Sequence, residues 1–355
     1  MTSSPLLEVD HLVVHFPVRS GLLGRASAVV HAVDDVTLSL AEGETLGLVG
    51  ESGCGKTTLA RTILRLVPAT GGAVRFRGND ITGLGQRGLR PYRSEVQMVF
   101  QDPQASLNPR KRVGQIVAAG LALRGTPSDS RPARVRELLD AVGLNPEHVD
   151  RFPHEFSGGQ RQRIGIARAL AADPRLIVLD EPVSALDVSI QAQVVNLLDD
   201  LQDRLGLSYV FVAHDLSVVR HVSDRIAVMY LGKVVEVSPA EALYTRPVHP
   251  YTEALLAAVP VPDADRNRRR RQVAPGEPPS ATEPPAGCRF ASRCPHATDV
   301  CVAVEPPLTE YPGGHLAACH HPRNVSAADL AAATRSASSP RSSGPDVPDP
   351  AEAAA

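Results

Sequence analysis

The chain has 355 residues, 43% of them hydrophobic, enough for two domains and a sizeable core. A net charge of −2 excludes a bulk electrostatic grip on nucleic acid, and no apolar run approaches the ~18 residues of a membrane span. The first basic residue is Arg19, so the N-terminus lacks a secretory signal pattern; the expected location is the cytoplasm, with a membrane reached only through partners.

Residues Leu6 to Phe16 alternate as a strand, and Val29 to Leu40 read as its antiparallel partner across a glycine-containing loop near Gly21 to Gly24. The apolar run Thr45 to Val49 predicts a strand and Thr57 to Leu66 a helix. Between them lies Gly50-Glu51-Ser52-Gly53-Cys54-Gly55-Lys56-Thr57-Thr58, which fits GxxxxGK[ST]. Strand, glycine-rich turn and helix are the context this motif requires. Glycine leaves backbone N–H groups free to surround phosphates, and a helix N-terminus favours their negative charge. Lys56 is placed to reach the β and γ phosphates of a nucleotide, and Thr57 to hold magnesium. Cys54 occupies a variable position of the loop, where a small side chain fits.

A short strand Ala73 to Arg77 follows, then a turn at Gly78-Asn79-Asp80 and a strand Glu95 to Phe100 that ends at Gln101. Helical patterns at Val113 to Arg124 and Pro132 to Val142 flank the breaker stretch Gly125 to Arg131. A further helix, Gln160 to Ala172, precedes the continuous apolar run Leu176-Ile177-Val178-Leu179, which suits a parallel strand buried on both faces. Ile190, Val194, Leu197, Leu198, Leu201 and Leu205 mark an amphipathic helix. Strands Tyr209 to Ala213, ending at His214, then Arg225 to Leu231 and Lys233 to Val237 close the regular part. Strands alternating with helices around a phosphate loop predict an α/β fold with a mainly parallel sheet. From about Pro260 the run Arg268-Arg269-Arg270-Arg271 reads as a solvated linker, Cys288 to Cys319 as a compact appendix, and the chain beyond Arg323 as a disordered tail.

Asp180 and Glu181 stand at the end of a buried strand. There Asp180 suits a magnesium shell and Glu181 the orientation of an attacking water. With Lys56 they suffice for hydrolysis of a phosphoanhydride, which needs mostly positioning and charge stabilisation.

Ser157-Gly158-Gly159-Gln160-Arg161 resembles the signature motif of ABC ATPases. In the same order as that family, Gln101 resembles its Q-loop, Ser184-Ala185-Leu186-Asp187 its D-loop and His214 its switch histidine. The resemblance implies a P-loop NTPase of the ABC type over residues 1–259, with a mainly parallel core sheet, an antiparallel β subdomain and a helical subdomain at about 104–170. A small cysteine-rich C-terminal appendix over 260–323 and the tail 324–355 follow. ATP and Mg2+ are the implied cofactors, with Thr57, Asp180 and Gln101 around the magnesium and Lys56, Gln101, Glu181 and His214 at the chemistry. Two such chains pair head to tail in that family. Ser157, Gly158, Gly159 and Gln160 of one, with Asp187, would then close on the nucleotide held by Gly50 to Thr58 of the other. Phe16 resembles the aromatic residue that stacks on adenine; the plainer reading is a core phenylalanine.

Phe100-Gln101-Asp102-Pro103, Ser106 to Arg110, Phe152 to Phe156, His249-Pro250-Tyr251-Thr252, and Gly287 to Phe290 through Arg293-Cys294-Pro295 resemble the oligopeptide and dipeptide importer branch. Within it the chain is similar to the second ATPase subunit type. That implies a peripheral protein on the cytoplasmic side of the membrane, partnered by a paralogous ATPase, two permeases and an extracytoplasmic peptide-binding protein, with no nucleic acid. An importer of nickel, glutathione or another small solute is the alternative within transport. A soluble ABC ATPase of DNA repair or translation is the alternative outside it, and a single phosphate loop with a single signature speaks against that one.

Cys288, Cys294, Cys301 and Cys319 are separated by five, six and seventeen residues, without the CxxC pairs of zinc knuckles. Four thiolates can hold an iron–sulfur cluster, or zinc with His296 or His320 as a substitute ligand, or they stay free. Resemblance to the importer branch favours a 4Fe-4S cluster in a structural role.

Overall fold

The computed structural model describes residues 4–20, 25–258 and 276–338. The loop at Gly21 to Gly24 and the linker with Arg268 to Arg271 lie outside these residues.

Two sheets organise the chain. Strands β1 (Leu7–Ser20), β2 (Arg25–Leu40), β4 (Gly71–Phe76) and β5 (Asn79–Asp80) form an antiparallel sheet in the order β2-β1-β4-β5. The second sheet is built on β3 (Thr45–Val49), which pairs in parallel with β8 (Ser208–Val212) on one side and β9 (Arg225–Tyr230) on the other. Beyond β8 the parallel order continues through β7 (Leu176–Asp180) and β6 (Val96–Val99). Beyond β9 it turns antiparallel at β10 (Lys233–Pro239).

The parallel strands are apolar along most of their length because both of their faces are covered. Side chains alternate across a strand, and the alternation sorts them cleanly. Leu46, Leu48, Leu176, Val178, Val210, Val212, Ala227 and Met229 join the core shared with the antiparallel sheet and α1 (Lys56–Ile63). Val49, Ile177, Leu179, Tyr209, Phe211, Ile226 and Val228 face the opposite core, under α4 (Val113–Arg124), α5 (Arg131–Ala141), α6 (Gly158–Leu170) and α7 (Val188–Leu205). Gly47, on that second face, has no side chain because one would strike α8 (Leu216–Val222): a Cβ there would lie 2.4 Å from Val219 Cγ1.

Three elements depart from the sequence expectation. Helix α2 (Leu89–Glu95) precedes β6 where only a strand is expected. It is two turns long, carries Pro91 in its first turn, and is anchored by Tyr92, whose hydroxyl donates to Ile63 O at 2.6 Å. The appendix is not a separate unit beyond a finished sheet. Its strands β11 (Thr309–Tyr311) and β12 (His315–Ala317) extend the main sheet by pairing β12 with β10, Glu236 opposite Ala317. The chain after Arg323, expected to be disordered, carries the helix Ala327–Ser338, whose Ala333 packs with Val248, Tyr311 and Ala317.

The junction between sheet and appendix is polar and sealed. Glu236 is fully buried, and its carboxylate accepts from the N–H groups of Val248 at 2.7 Å and His249 at 2.9 Å and lies 2.5 Å from His315 Nε2. The buried carboxylate is met by three partners from two separate segments, as burial of such a group requires. His249 beside it is also buried, and its Nδ1 accepts the Tyr251 N–H at 3.0 Å.

Burial pushes the His249 imidazole down to about 4, from an ordinary value of 6.5. The unfolded chain therefore takes up this proton first as pH falls. The stability involved is intact above about pH 6.5 and is lost progressively toward pH 4, by up to about 3 kcal/mol. Urea denaturation at pH 6.5 and 4.5, followed by circular dichroism, should show this loss in the native chain, and His249→Gln should remove that part of the pH slope.

Candidate nucleotide-binding site

A phosphate-binding loop must come close to its ligand, so side chains cannot stand in the way. Gly50 follows β3 directly at φ 153°, and a Cβ there would lie 2.2 Å from Met229 O. Gly55 precedes α1 at φ 108°, and a Cβ there would lie 2.0 Å from Ala32 O. Strands β9 and β2 thus press on the loop from both sides, and only glycine fits. Cys54 packs inside the loop, where burial pushes its thiol up, as expected for a small structural side chain.

Lys56 is buried in the loop's curve, its Nζ donating to Gly50 O at 2.7 Å and Glu51 O at 2.9 Å. An ammonium has three donors, and the third meets only the Cys54 Sγ, a weak acceptor at 3.9 Å, which a phosphate oxygen would outcompete. Thr57 donates its hydroxyl to Asp180 Oδ1 at 2.9 Å, which joins the start of α1 to the end of β7. Burial pushes the Asp180 carboxyl up, although the Thr57 hydroxyl and the charges of Arg61 and Lys56 pull the other way. A hydroxyl and a carboxylate side by side are the hard oxygen donors that Mg2+ takes, and a bound cation would reverse the cost of burying the charge.

Glu181, one residue further, has φ 47°, a left-handed conformation that costs a non-glycine residue energy and recurs at functional sites. Its N–H donates to Val212 O at 3.0 Å, and its carboxylate meets two of the residues singled out from sequence. Gln101 Nε2 donates to Glu181 Oε2 at 2.8 Å, and His214 Nδ1 lies 3.4 Å from the same oxygen. Gln101 comes two residues after β6 and His214 two residues after β8. The loop, Asp180-Glu181, Gln101 and His214 therefore all sit at the carboxyl edge of four parallel strands, where open α/β sheets bind ligands.

The signature residues start α6. Ser157 caps it, its Oγ accepting the Gln160 N–H at 3.3 Å while the Gln160 side chain accepts the Ser157 N–H at 2.9 Å. Ser157 and Gln160 are exposed, and so are Asp187 and Val188, the latter 81%. Gly159 is buried, and a Cβ on it would stand 2.5 Å from Ile190 Cγ2. Its role is close packing of α6 on α7. Phe16 pairs with Val30 across β1 and β2 and is 40% exposed, so the core reading fails and an exposed aromatic face remains. Sequence reasoning missed Tyr251 and Arg293: the Glu51 N–H donates to Tyr251 Oη at 2.9 Å, and Arg293 grips the Glu51 carboxylate. Both stand in motifs already picked out, so the available signal was a polar residue in a motif with no assigned task.

The iron–sulfur expectation is corrected. Cys288, Cys294, Cys301 and Cys319 do line one cavity with His249, His296, His320 and His321, but it holds only about 10 Å³. That is room for about one water and not for a cluster of eight atoms. Burial raises the thiols of Cys288 and Cys294 and pushes that of Cys319 up to about 12, which favours neutral thiols. Zinc fares no better: among the described residues no three of these groups lie mutually within 4.8 Å, as a shell with Zn–S near 2.3 Å needs. The group that does, His15, His31 and Asp34, has its carboxylate engaged by Arg289.

A roomier cavity, about 680 Å³, lies away from the phosphate loop, between the antiparallel sheet and the appendix. Its cations are already paired, Arg75 with Asp10 at 3.1 Å, Arg225 with Glu44 at 3.0 Å and Lys233 with Glu305 at 2.5 Å. The convergence of donors, not volume, marks the nucleotide site.

Comparison with known proteins agrees with this geometry. Residues 33–184 match the family described as ABC transporter, and residues 235–301 the one described as oligopeptide/dipeptide transporter, C-terminal region. A protein of Sinorhizobium fredii described as "Probable peptide ABC transporter ATP-binding protein y4tS" is 52% identical over 319 residues, 90% of each chain. The oligopeptide transport ATP-binding protein AppF of Bacillus subtilis is 52% identical over 318 residues, 89% of this chain and 97% of that one. Among solved structures, CbiO1 of Clostridium perfringens, part of the ABC transporter complex CbiONQ, superposes with TM-score 0.58 at 27% identity, over 68% of this chain and 90% of its own. The dimeric ATP-binding cassette MJ0796 with ADP and Pi does so with TM-score 0.58 at 28% identity, over 66% and 98%. In none of these descriptions does an iron–sulfur group appear.

The tight approach at Gly159 is testable. Gly159→Ala should cost about 1–3 kcal/mol in chemical denaturation, the range of an overpacked contact. Ile190→Ala in the same chain should return most of it.

Proposed function

The chain belongs to the ABC transporter ATP-binding proteins, and from that premise we propose that it hydrolyses ATP to energise import of di- or oligopeptides through partner permeases. The observation that carries the ATPase reading is the convergence of Lys56, the Thr57–Asp180 pair and the Gln101–Glu181–His214 group on one sheet edge. Support for peptides as the solute comes from the match of residues 235–301 and from relatives whose names specify peptide transport.

In this reading the N–H groups of Gly53 to Thr57 and the remaining Lys56 donor hold the phosphates, with Gly50, Glu51, Ser52 and Thr58 shaping the loop. Thr57 and Asp180, with the amide oxygen of Gln101, would hold Mg2+, which neutralises phosphate charge. Phe16 offers its exposed ring to adenine. Glu181 takes a proton from the attacking water. Gln101 fixes that carboxylate from one side, and His214 contacts the same oxygen from the other.

Ser157 to Gln160 and Asp187 serve a second nucleotide site, on a paralogous ATPase paired head to tail. The exposure of Ser157, Gln160 and Asp187 supports this. Two permeases in the cytoplasmic membrane and an extracytoplasmic peptide-binding protein complete the assembly, with the permeases contacting the groove beside Gln101. Among the described residues no helix is long and apolar enough to cross a membrane, so contact with the bilayer runs through those partners.

Glu181→Gln tests the chemistry. Turnover should fall by about 10²- to 10⁴-fold, the worth of a general base, while ATP still binds. Hydrolysis retained at the native rate would remove Glu181 from that role.

A further inference from the structure

The appendix reaches the nucleotide site of its own chain, at Glu51. Two elements separated by 242 residues in sequence meet there in a parallel, two-pronged ion pair: Arg293 Nη1 donates to Glu51 Oε2 at 2.9 Å and Arg293 Nη2 to Oε1 at 3.0 Å. This is no solvated surface pair, since the Arg293 side chain is only 7% exposed. Its guanidinium also donates to Tyr230 Oη at 3.3 Å and lies 5.9 Å from the centre of the Phe290 ring. Tyr251, buried in the same cluster, takes the Glu51 N–H. Glu51 is thus held by both its side chain and its backbone donor, and its carbonyl is one of the two that Lys56 binds.

A second tie runs parallel to the first. Arg289 is anchored on Asp34 and on Leu231 O, and the next residue, Gly232, donates its N–H to Cys54 O at 2.8 Å. Pro278, Pro279 and Ala281 of the appendix and Glu51 to Cys54 of the loop share the lining of a cavity of about 200 Å³.

We infer that Arg293 is a positioning residue for the nucleotide: it holds Glu51, and through Glu51 the Lys56-bearing loop, while masking a carboxylate that would otherwise repel the phosphates. The inference rests on the ATPase reading and adds to it that the C-terminal appendix tunes nucleotide affinity. Removing the guanidinium does two separable things. It frees the Gly50–Glu51 backbone, and it leaves a negative charge beside a polyanion site. The second effect disappears when the carboxylate itself is removed. A merely structural role for Arg293 does not predict that rescue.

The test uses the full-length chain with a ribose-labelled fluorescent ATP for affinity and steady-state hydrolysis of MgATP. Arg293→Gln should raise both Kd and KM roughly tenfold to hundredfold, the worth of a lost charge-assisted contact, with kcat within about twofold of native. Glu51→Gln added to Arg293→Gln should recover most of the affinity. Arg293→Lys, which keeps the charge but not the two-pronged geometry, should give an intermediate Kd and serves where Arg293→Gln does not fold. An unchanged Kd in the single variants overturns the proposal, and so does a loss that Glu51→Gln leaves in place. If the native chain neither binds the labelled ATP nor hydrolyses ATP, the ATPase reading itself fails, which is a different result.

Discussion

A polyphosphate is bound well only by donors that are already in place, and here that rigidity originates in the burial of β3 on both faces. Strand β3 lies between β8 and β9, with one core above it and another below. Its end therefore cannot shift without disturbing two packed layers. The loop that leaves it is confined again at Gly50 and Gly55 by neighbouring backbone carbonyls. Everything else at the site is referred to the same frame. Asp180 ends β7 with Glu181 just beyond it, Gln101 and His214 follow β6 and β8, and all of these strands belong to one sheet. A single rigid sheet sets the relative positions of six functional side chains from four separate segments.

What was legible in the sequence follows from which physical signals are local. The parallel strands announce themselves as unbroken apolar runs because both faces are buried, and Thr45–Val49 and Leu176–Asp180 appear nearly as read. Helix Val113–Arg124 is bounded as expected because Gly125 ends it in a left-handed cap. Helix Leu89–Glu95 was invisible: it is too short for periodicity and it contains proline. Strands β11 and β12 are three residues each and gain their partners only from β10, far away in sequence. The Glu51–Arg293 pair is illegible for the same reason, since nothing near either residue points to the other. The four cysteines misled because a count and a clustering in sequence say nothing of the space left between the thiols.

The appendix is accordingly more than an addition at the end of a finished fold. Its polar side chains enter positions that an apolar residue could not use, Arg289 beside Asp34 and Arg293 beside Glu51. Its histidine, His315, completes the ring of donors around Glu236. Charge in the appendix is thus spent on specific buried partners in the main body, in line with the rule that buried charges persist only when paired.

The pairing of β12 with β10 also bears on how the protein avoids other copies of itself. Strand β10 is buried along most of its length and carries three valines, and β12 occupies the side that β9 leaves open. Were the chain shortened to end before the appendix, β10 would become a bare sheet edge with a row of unpaired N–H and C=O groups flanked by valines. Such an edge is a template for strand addition from any neighbouring molecule. The short strands that look dispensable in the sequence close the sheet against self-association, with Thr309–Tyr311 left as the new rim, too brief to recruit a partner.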